Sequence, residues 1–289
     1  MPRAVVLTNP TSGKGRAGRL LDEALPRFHG AGWQTTALTS RSADDAADLA
    51  RVAVAERPDV LVVCGGDGMV NIALQALAGT DVPLGVLPAG TGNDFARYFD
   101  VPLGDGAAAA GRIISGRTRT IDLARIGGRY FGGVLAAGFD AVVNERANRM
   151  RWPKGQMRYN LATVAELRTF QPLRYVLELD GVERHVEAML VAVGNGPSFG
   201  GGLRITHGAE LDDGLLDVVL IKPLSRVQLL RTFPQLFDGS HVNHPQYEHH
   251  RVRRVTVASA GIVGYADGER FGPLPLTVEA VPGAVRVRA

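Results

Sequence analysis

The first third of the chain alternates short apolar runs with amphipathic stretches. Residues 4–8, 35–39 and 60–64 are rich in β-branched and aliphatic side chains and read as strands, and residues 20–29 and 44–56 carry helical spacing between them. A further helix is expected over 70–78 and a further strand over 84–87. Such a βαβ rhythm predicts a parallel sheet covered by helices. Beyond about residue 122 the pattern changes to strand-like runs separated by glycine turns, at 130–136, 174–179, 186–193, 215–221, 254–258 and 276–280. These predict a mainly antiparallel β domain, interrupted by helical insertions over 142–150 continuing through 159–170, and over 225–237. The organisation expected is an α/β domain over 1–122 and a β-rich domain over 123–289, with the last strands packing back near the first domain.

Composition narrows the function classes. With 289 residues, 45% of them hydrophobic and 21% charged, the chain has ordinary globular composition and the length of two domains. A formal net charge of +3 gives little support to nucleic acid as a partner. Cys64 is the sole cysteine, which excludes an intrachain disulfide and a cysteine-rich metal site and points to a reducing compartment, the cytoplasm. No run of about 18 apolar residues occurs and the N-terminal run is too short for a secretory segment, so neither a membrane span nor export is expected.

The candidate chemistry sits in three glycine turns that follow predicted strands, where ligands bind in open α/β sheets. The first, Asn9-Pro10-Thr11-Ser12-Gly13-Lys14-Gly15-Arg16-Ala17-Gly18, holds a formal G-x-G-x-x-G. Its first glycine lies several residues past the strand, and the second strand ends in Thr39-Ser40-Arg41 without an acid for a ribose. Arg41 keeps an NADP-dependent oxidoreductase open as a rival. A Walker A loop fails, because Thr8 stands at its first glycine and Gly15 follows the lysine. What remains is exposed backbone N–H groups before a helix, which attract phosphate. The second turn, Gly65-Gly66-Asp67-Gly68-Met69-Val70-Asn71, packs glycines around one acid that can engage a metal or a nucleotide or cap the helix. The third, Pro88-Ala89-Gly90-Thr91-Gly92-Asn93-Asp94-Phe95-Ala96-Arg97, offers the Thr91 hydroxyl and places Asn93-Asp94 at a helix cap. Together the three make a floor wide enough for a nucleoside triphosphate.

The segments NPTSGKGRAG, GGDGMVN and LGVLPAGTGNDFAR together resemble the diacylglycerol kinase catalytic family, which includes bacterial lipid kinases and sphingosine kinases. The GGDG element also occurs in NAD kinases and phosphofructokinases, whereas GTGNDFAR is much more specific. Glu-Leu-Asp-Asp-Gly-Leu-Leu-Asp at 210–217 and Tyr-Ala-Asp-Gly-Glu at 265–269 follow in the family's order, so the resemblance spans nearly the whole chain. It implies an N-terminal α/β nucleotide-binding domain of the NAD kinase and diacylglycerol kinase type with a C-terminal antiparallel β-sandwich. It implies further that Asn9, Pro10, Thr11, Ser12, Gly13, Thr39, Gly65, Gly66, Asp67, Gly68, Met69, Val70, Asn71 and Thr91 line an ATP site. Glu269 or Asp267 supplies the catalytic base on this resemblance. On the same resemblance Asp213 is expected to give its carboxylate to a structural Mg²⁺, beside the main-chain carbonyls of Glu210 and Leu215. The activity implied is transfer of the ATP γ-phosphate to a lipid hydroxyl, diacylglycerol first, with a sphingoid base or phosphatidylglycerol as other acceptors. Met69 departs from the family's usual threonine after GGDG, which leaves a catalytically weak lipid-binding or regulatory protein as a second rival.

Four other features complete the picture. Asp267-Gly268 is also a strong hairpin signal between 263 and 271. Residues 146–159 mix Arg149, Arg151 and Lys154 with Trp152 and Tyr159 and contain no acid, which suits either peripheral contact with an anionic membrane or a solvated helix edge. Four of the seven histidines fall within 241–250, read as an exposed loop before a strand, and 195–202 is read as part of the lipid mouth or a mobile turn. A homodimer is compatible with all of this.

Overall fold

The computed structural model describes residues 1–10, 12–138, 146, 150 and 171–289. The N-terminal part runs β1 (Arg3–Thr8), α1 (Arg16–Gly30), β2 (Gln34–Thr39), α2 (Ala43–Ala55), β3 (Val60–Gly65), α3 (Asp67–Leu77), β4 (Leu84–Pro88), α4 (Asp94–Arg97) and α5 (Gly106–Ser115). Its strands are parallel in the order β2-β1-β3-β4. β3 is buried along its whole length, as a central parallel strand covered on both faces must be. α1 lays Ala17, Leu20, Ala24 and Phe28 against the sheet at helical spacing, and Ser42 begins α2 by accepting the Asp45 N–H at 3.1 Å.

The rest of the described chain runs β5 (Thr118–Ile126), β6 (Arg129–Phe131), β7 (Val134–Gly138), β8 (Leu173–Leu179), β9 (Val182–Ala188), β10 (Leu190–Gly194), β11 (Leu216–Ile221), α6 (Arg226–Thr232), α7 (Gln235–Asp238), β12 (Tyr247–Val252), β13 (Arg254–Ala258), β14 (Val263–Ala266), β15 (Glu269–Pro273) and β16 (Leu276–Arg288). A six-stranded antiparallel sheet has the order β12-β11-β10-β7-β14-β15. It packs on β5, β8, β13 and β16 through Tyr175, Leu177, Val191, Val218, Val255 and Val278. The fold is therefore an α/β unit joined to an antiparallel β-sandwich, as the change of pattern predicts. β16 joins the two: its first part pairs with β13, its length with β5, and Val287 lies beside Leu84 of β4.

Several expectations need correction. The apolar run 186–193 is two strands in two sheets, since Ala188 pairs with Leu173 whereas Leu190 pairs with Gly138 and Ile221. The expected loop over 241–250 is largely structured. His241 is fully buried, and Tyr247–Val252 pairs with β11 because Pro245 precedes the strand and costs it no ladder hydrogen bond. The helix expected over 225–237 divides at Pro234 into α6 and α7. The insertions over 142–170, and with them the cationic segment 146–159 apart from Arg146 and Met150, lie outside the described residues.

Candidate active site

The turns after β1, β3 and β4 meet one another before they meet anything else. A Cβ on Gly13 would lie 1.9 Å from the Ala89 carbonyl oxygen, and one on Gly90 would lie 2.5 Å from the Cα of Gly66. Arg16 fastens the first turn to the third, its guanidinium donating to the carbonyls of Gly13 at 3.0 Å and Gly90 at 3.4 Å. These glycines are thus required where backbone approaches backbone, with Gly13 also in the left-handed region at φ 60°. Ser12 opens a single 3-10 turn and donates its N–H to the Asn9 carbonyl, and Thr39 and Thr91 are exposed at the ends of β2 and β4. Pro10 is exposed beside Asn9. Thr11 lies outside the described residues.

The GGDG turn divides its residues between the site and the core. Asp67 begins α3, and its Oδ1 accepts the Phe95 N–H at 3.3 Å while Gly92 closes over its Oδ2. Met69 and Val70 point inward, with Met69 packed beneath Gly65, and both N–H groups donate to the Gly66 carbonyl. Of the residues expected at the nucleotide, Met69 and Val70 are thus buried, with their N–H groups engaged by Gly66. The missing threonine hydroxyl at Met69 is likewise replaced by core packing. Asn71 is buried and faces β6, its Nδ2 3.5 Å from the Tyr130 carbonyl, which Gln75 also donates to at 2.9 Å. Arg41, the residue that kept the NADP rival open, is paired with Asp45 at 3.3 Å.

Across the cleft, Asp267 and Gly268 take φ of 51° and 83° and form the tight turn between β14 and β15. The hairpin reading is therefore the fold of this segment. The two acids of this turn part company. Asp267 turns inward, where its carboxylate accepts the N–H groups of Gly132 at 3.0 Å, Gly133 at 3.1 Å and Val134 at 3.2 Å. Glu269 is exposed and faces the GGDG turn, its Oε1 3.7 Å from where a Cβ on Gly68 would stand. Burial raises Asp267 to about 6 against the pull of the Gly132 and Gly133 N–H groups, and Asp67 adds to the rise. Burial likewise raises Asp67, with Asp94 as the second cause.

Asp94, expected at a helix cap, opens α4. Its carboxylate instead crosses the cleft and accepts the N–H groups of Gly201 and Gly202, both at 2.7 Å, and burial raises its pKa. The turn at 195–202 is consequently tied to the floor. Asp122 is a second acid that ties distant segments together: buried in β5, it accepts the N–H of Gly214 at 2.6 Å and of Gly283 at 2.7 Å. The neighbouring Asp213 accepts the Leu215 N–H at 2.9 Å and pairs with Arg251. Its carboxylate, with main-chain carbonyls at Glu210 and Leu215, is a hard oxygen set of the kind Mg²⁺ takes with water completing its shell, so the donor chemistry fits. Among the described residues no three or more His, Cys, Asp or Glu side chains converge to hold a metal.

Comparison with known proteins covers both halves. The model of the diacylglycerol kinase catalytic domain matches residues 3–126, and that of the YegS C-terminal NAD kinase beta sandwich-like domain matches 133–289. The chain is 46% identical over 291 residues to a diacylglycerol kinase of Mycobacterium tuberculosis H37Rv, covering 99% of this chain and 94% of that protein. It is 31% identical over 279 residues to one of Bacillus subtilis 168, covering 95% and 92%. A crystal structure described as a diacylglycerol kinase from Bacillus anthracis str. Sterne shares the fold, with a TM-score of 0.75 at 22% identity over 99% of this chain and 96% of that one.

Proposed function

We propose, starting from the fact that the chain belongs to the diacylglycerol kinase family and is a lipid kinase, that its reaction is transfer of the γ-phosphate of Mg-ATP to the free hydroxyl of diacylglycerol. The observation that carries this reading is the approach of Glu269 to Gly68, which brings an exposed carboxylate to the edge of the three-turn floor. In this reading residues up to about 122 hold the nucleotide and the remainder carries the acceptor and the base. Asn9, Ser12, Gly13, Gly65, Gly66, Gly68 and Thr91 border the phosphates, with backbone N–H groups and the start of α3 as the attracting dipoles. Phosphoryl transfer asks mainly for such positioning and charge stabilisation. Mg-ATP supplies the phosphoryl group and a cation that offsets its charge. Glu269 takes the proton from the lipid hydroxyl as that oxygen bonds to phosphorus and the bond to the departing ADP oxygen breaks. Asp267, held by three N–H groups, fixes the hairpin that presents Glu269.

Radiolabelled phosphate supplied as Mg-ATP is expected in phosphatidic acid when diacylglycerol, a sphingoid base and phosphatidylglycerol are offered side by side in mixed micelles. Label in another lipid only would move the acceptor assignment and leave the kinase chemistry. The same panel in anionic vesicles, with Arg149, Arg151 and Lys154 neutralised, tests cytoplasmic-face membrane contact through 146–159: undiminished vesicle binding removes that contact from the reading. No helix among the described residues is long and apolar enough to cross a membrane.

The Mg²⁺ reading of the Asp213 loop makes its own prediction. Millimolar Mg²⁺ without nucleotide is expected to raise the melting temperature of the wild-type chain and to leave that of Asp213→Asn unchanged, because a cation bound only by the folded state stabilises it by mass action. An equal response of the two proteins removes Asp213 from the metal site. Since Arg251 already pairs with this carboxylate, the cation has to compete with a guanidinium, and a modest shift is expected.

A further inference from the structure

α4 is a single turn of helix, yet its first side chain and that of Tyr98, which caps its end, grip the opposite side of the cleft. Asp94 takes the N–H groups of Gly201 and Gly202 and lies 3.5 Å from the Ser198 hydroxyl. Four residues on, the Tyr98 hydroxyl donates to the Ser198 carbonyl. The tyrosine ring lies on glycine backbone, since a Cβ on Gly196 would stand 2.7 Å from it. A Cβ on Gly133 would stand 3.0 Å from the Tyr98 oxygen and 2.4 Å from Asp267 Oδ1, so one glycine has the phenol and the hairpin acid on its open side. Burial first, and then the charges of Asp267, Asp94 and Asp67, push the phenol well above its usual range, so the hydroxyl stays protonated and remains a donor.

We propose that Tyr98 is a positioning residue for phosphoryl transfer, tying the nucleotide-side turn at α4 to the two backbone segments, 132–134 and 196–198, that support the hairpin bearing Glu269. The segment 132–134 donates to Asp267, and 195–196 hangs on it through N–H groups of Asn195 and Gly196 that both donate to the Gly133 carbonyl. Tyr98 thus touches both acceptor-side segments from the floor. Its effect is on the separation of floor and base, to which transfer rates are steeply sensitive. Among the described residues it makes no hydrogen bond to the turns after β1 and β3, so its loss is expected to leave nucleotide affinity largely unchanged. The inference rests on the reading of this cleft as the phosphoryl-transfer site and deepens it.

The test compares kcat for lipid phosphorylation with the dissociation constant for Mg-ATP in Tyr98→Phe, Tyr98→Ala and Glu269→Gln. Tyr98→Phe keeps the ring on Gly196 and loses both the donor and the oxygen beside Gly133, and a fall in kcat of about three- to tenfold is expected. Tyr98→Ala loses the ring as well, and a fall of roughly 100-fold is expected, with Mg-ATP affinity unchanged within about twofold in each variant. Amide exchange over 196–203 is expected to speed up in both. Unchanged kcat in the tyrosine variants beside an inactive Glu269→Gln overturns the positioning role and leaves the reading of the cleft standing. Full activity in Glu269→Gln overturns that reading itself. A loss of Mg-ATP affinity matching the loss of kcat marks a general structural defect and also overturns the proposal. Should Tyr98→Ala fail to fold, Tyr98→Phe decides through the same ratio.

Discussion

Glu269→Gln is expected to lower kcat by about 10²- to 10⁴-fold, the usual contribution of a positioned general base, while Mg-ATP binds within about twofold of wild type. Asp267→Asn is expected to lower the melting temperature as well as the activity. The two acids present opposite cases. On pKa alone Asp267 is the better base, because burial has raised it to about 6, close to working pH. Its oxygens, however, are already accepting three backbone N–H groups, and an acceptor so occupied is badly placed to take a proton from a substrate. Glu269 is exposed at the mouth beside Gly68 and has no such commitment among the described residues. Geometry precedes pKa in choosing a base, and it favours Glu269. An amide at 267 would aim N–H toward backbone N–H, so its cost falls on the fold of the hairpin. Phosphate transfer and thermal unfolding measured on both variants separate the roles: an active Glu269→Gln beside an inactive but fully stable Asp267→Asn would exchange them.

The parallel half was legible because its signal is local. Val60–Gly65 is apolar at nearly every position and buried at every one, and the turn residues after it are unmistakable as turns. The sandwich was legible as a class but not in its pairings, since an apolar run such as 186–193 looks the same whether it stays in one sheet or crosses to another at Met189. The site shows the same division. Glycine spacing revealed that three turns form a floor, yet it suggested glycines kept small for a ligand. Gly13, Gly66 and Gly90 are kept small first by one another's backbone, which is tertiary information. Met69 looked like a defect in a phosphate turn because the sequence does not show that its side chain lies under Gly65. Asp94 and Asp122 were missed for a related reason: Asp94 finds Gly202 108 residues away and Asp122 finds Gly283 161 residues away, and no periodicity marks such partners.

Asp122→Ala is expected to destabilise the protein by roughly 2 to 5 kcal/mol, because it empties a buried position and leaves two part-buried backbone N–H groups without their acceptor, at up to about 1–3 kcal/mol each. Asp122 lies in β5 with 3% of its surface exposed, and every polar group it has is used. Its N–H donates to the Leu211 carbonyl at 2.7 Å, and its carbonyl accepts the Asn195 amide at 3.0 Å. Its carboxylate accepts Gly214 on one side and Gly283, at the bulge of β16, on the other. One residue therefore holds together the segment bearing Asp213, the turn that Asp94 and Tyr98 grip, and the strand joining sandwich to parallel sheet. Asp122→Asn keeps a single carbonyl oxygen and is expected to cost less than Asp122→Ala. Urea unfolding of the two variants checks the order, and for a chain of this size the larger loss corresponds to a fall in melting temperature of about 5–15 °C. If the alanine variant unfolds at the wild-type urea concentration, these loops are held by their own turns and Asp122 is dispensable to the architecture. If it is destabilised as expected and also loses any response to Mg²⁺, the metal loop depends on Asp122 for its shape, since an N–H of Gly214 freed from the carboxylate no longer fixes the carbonyls on either side of it.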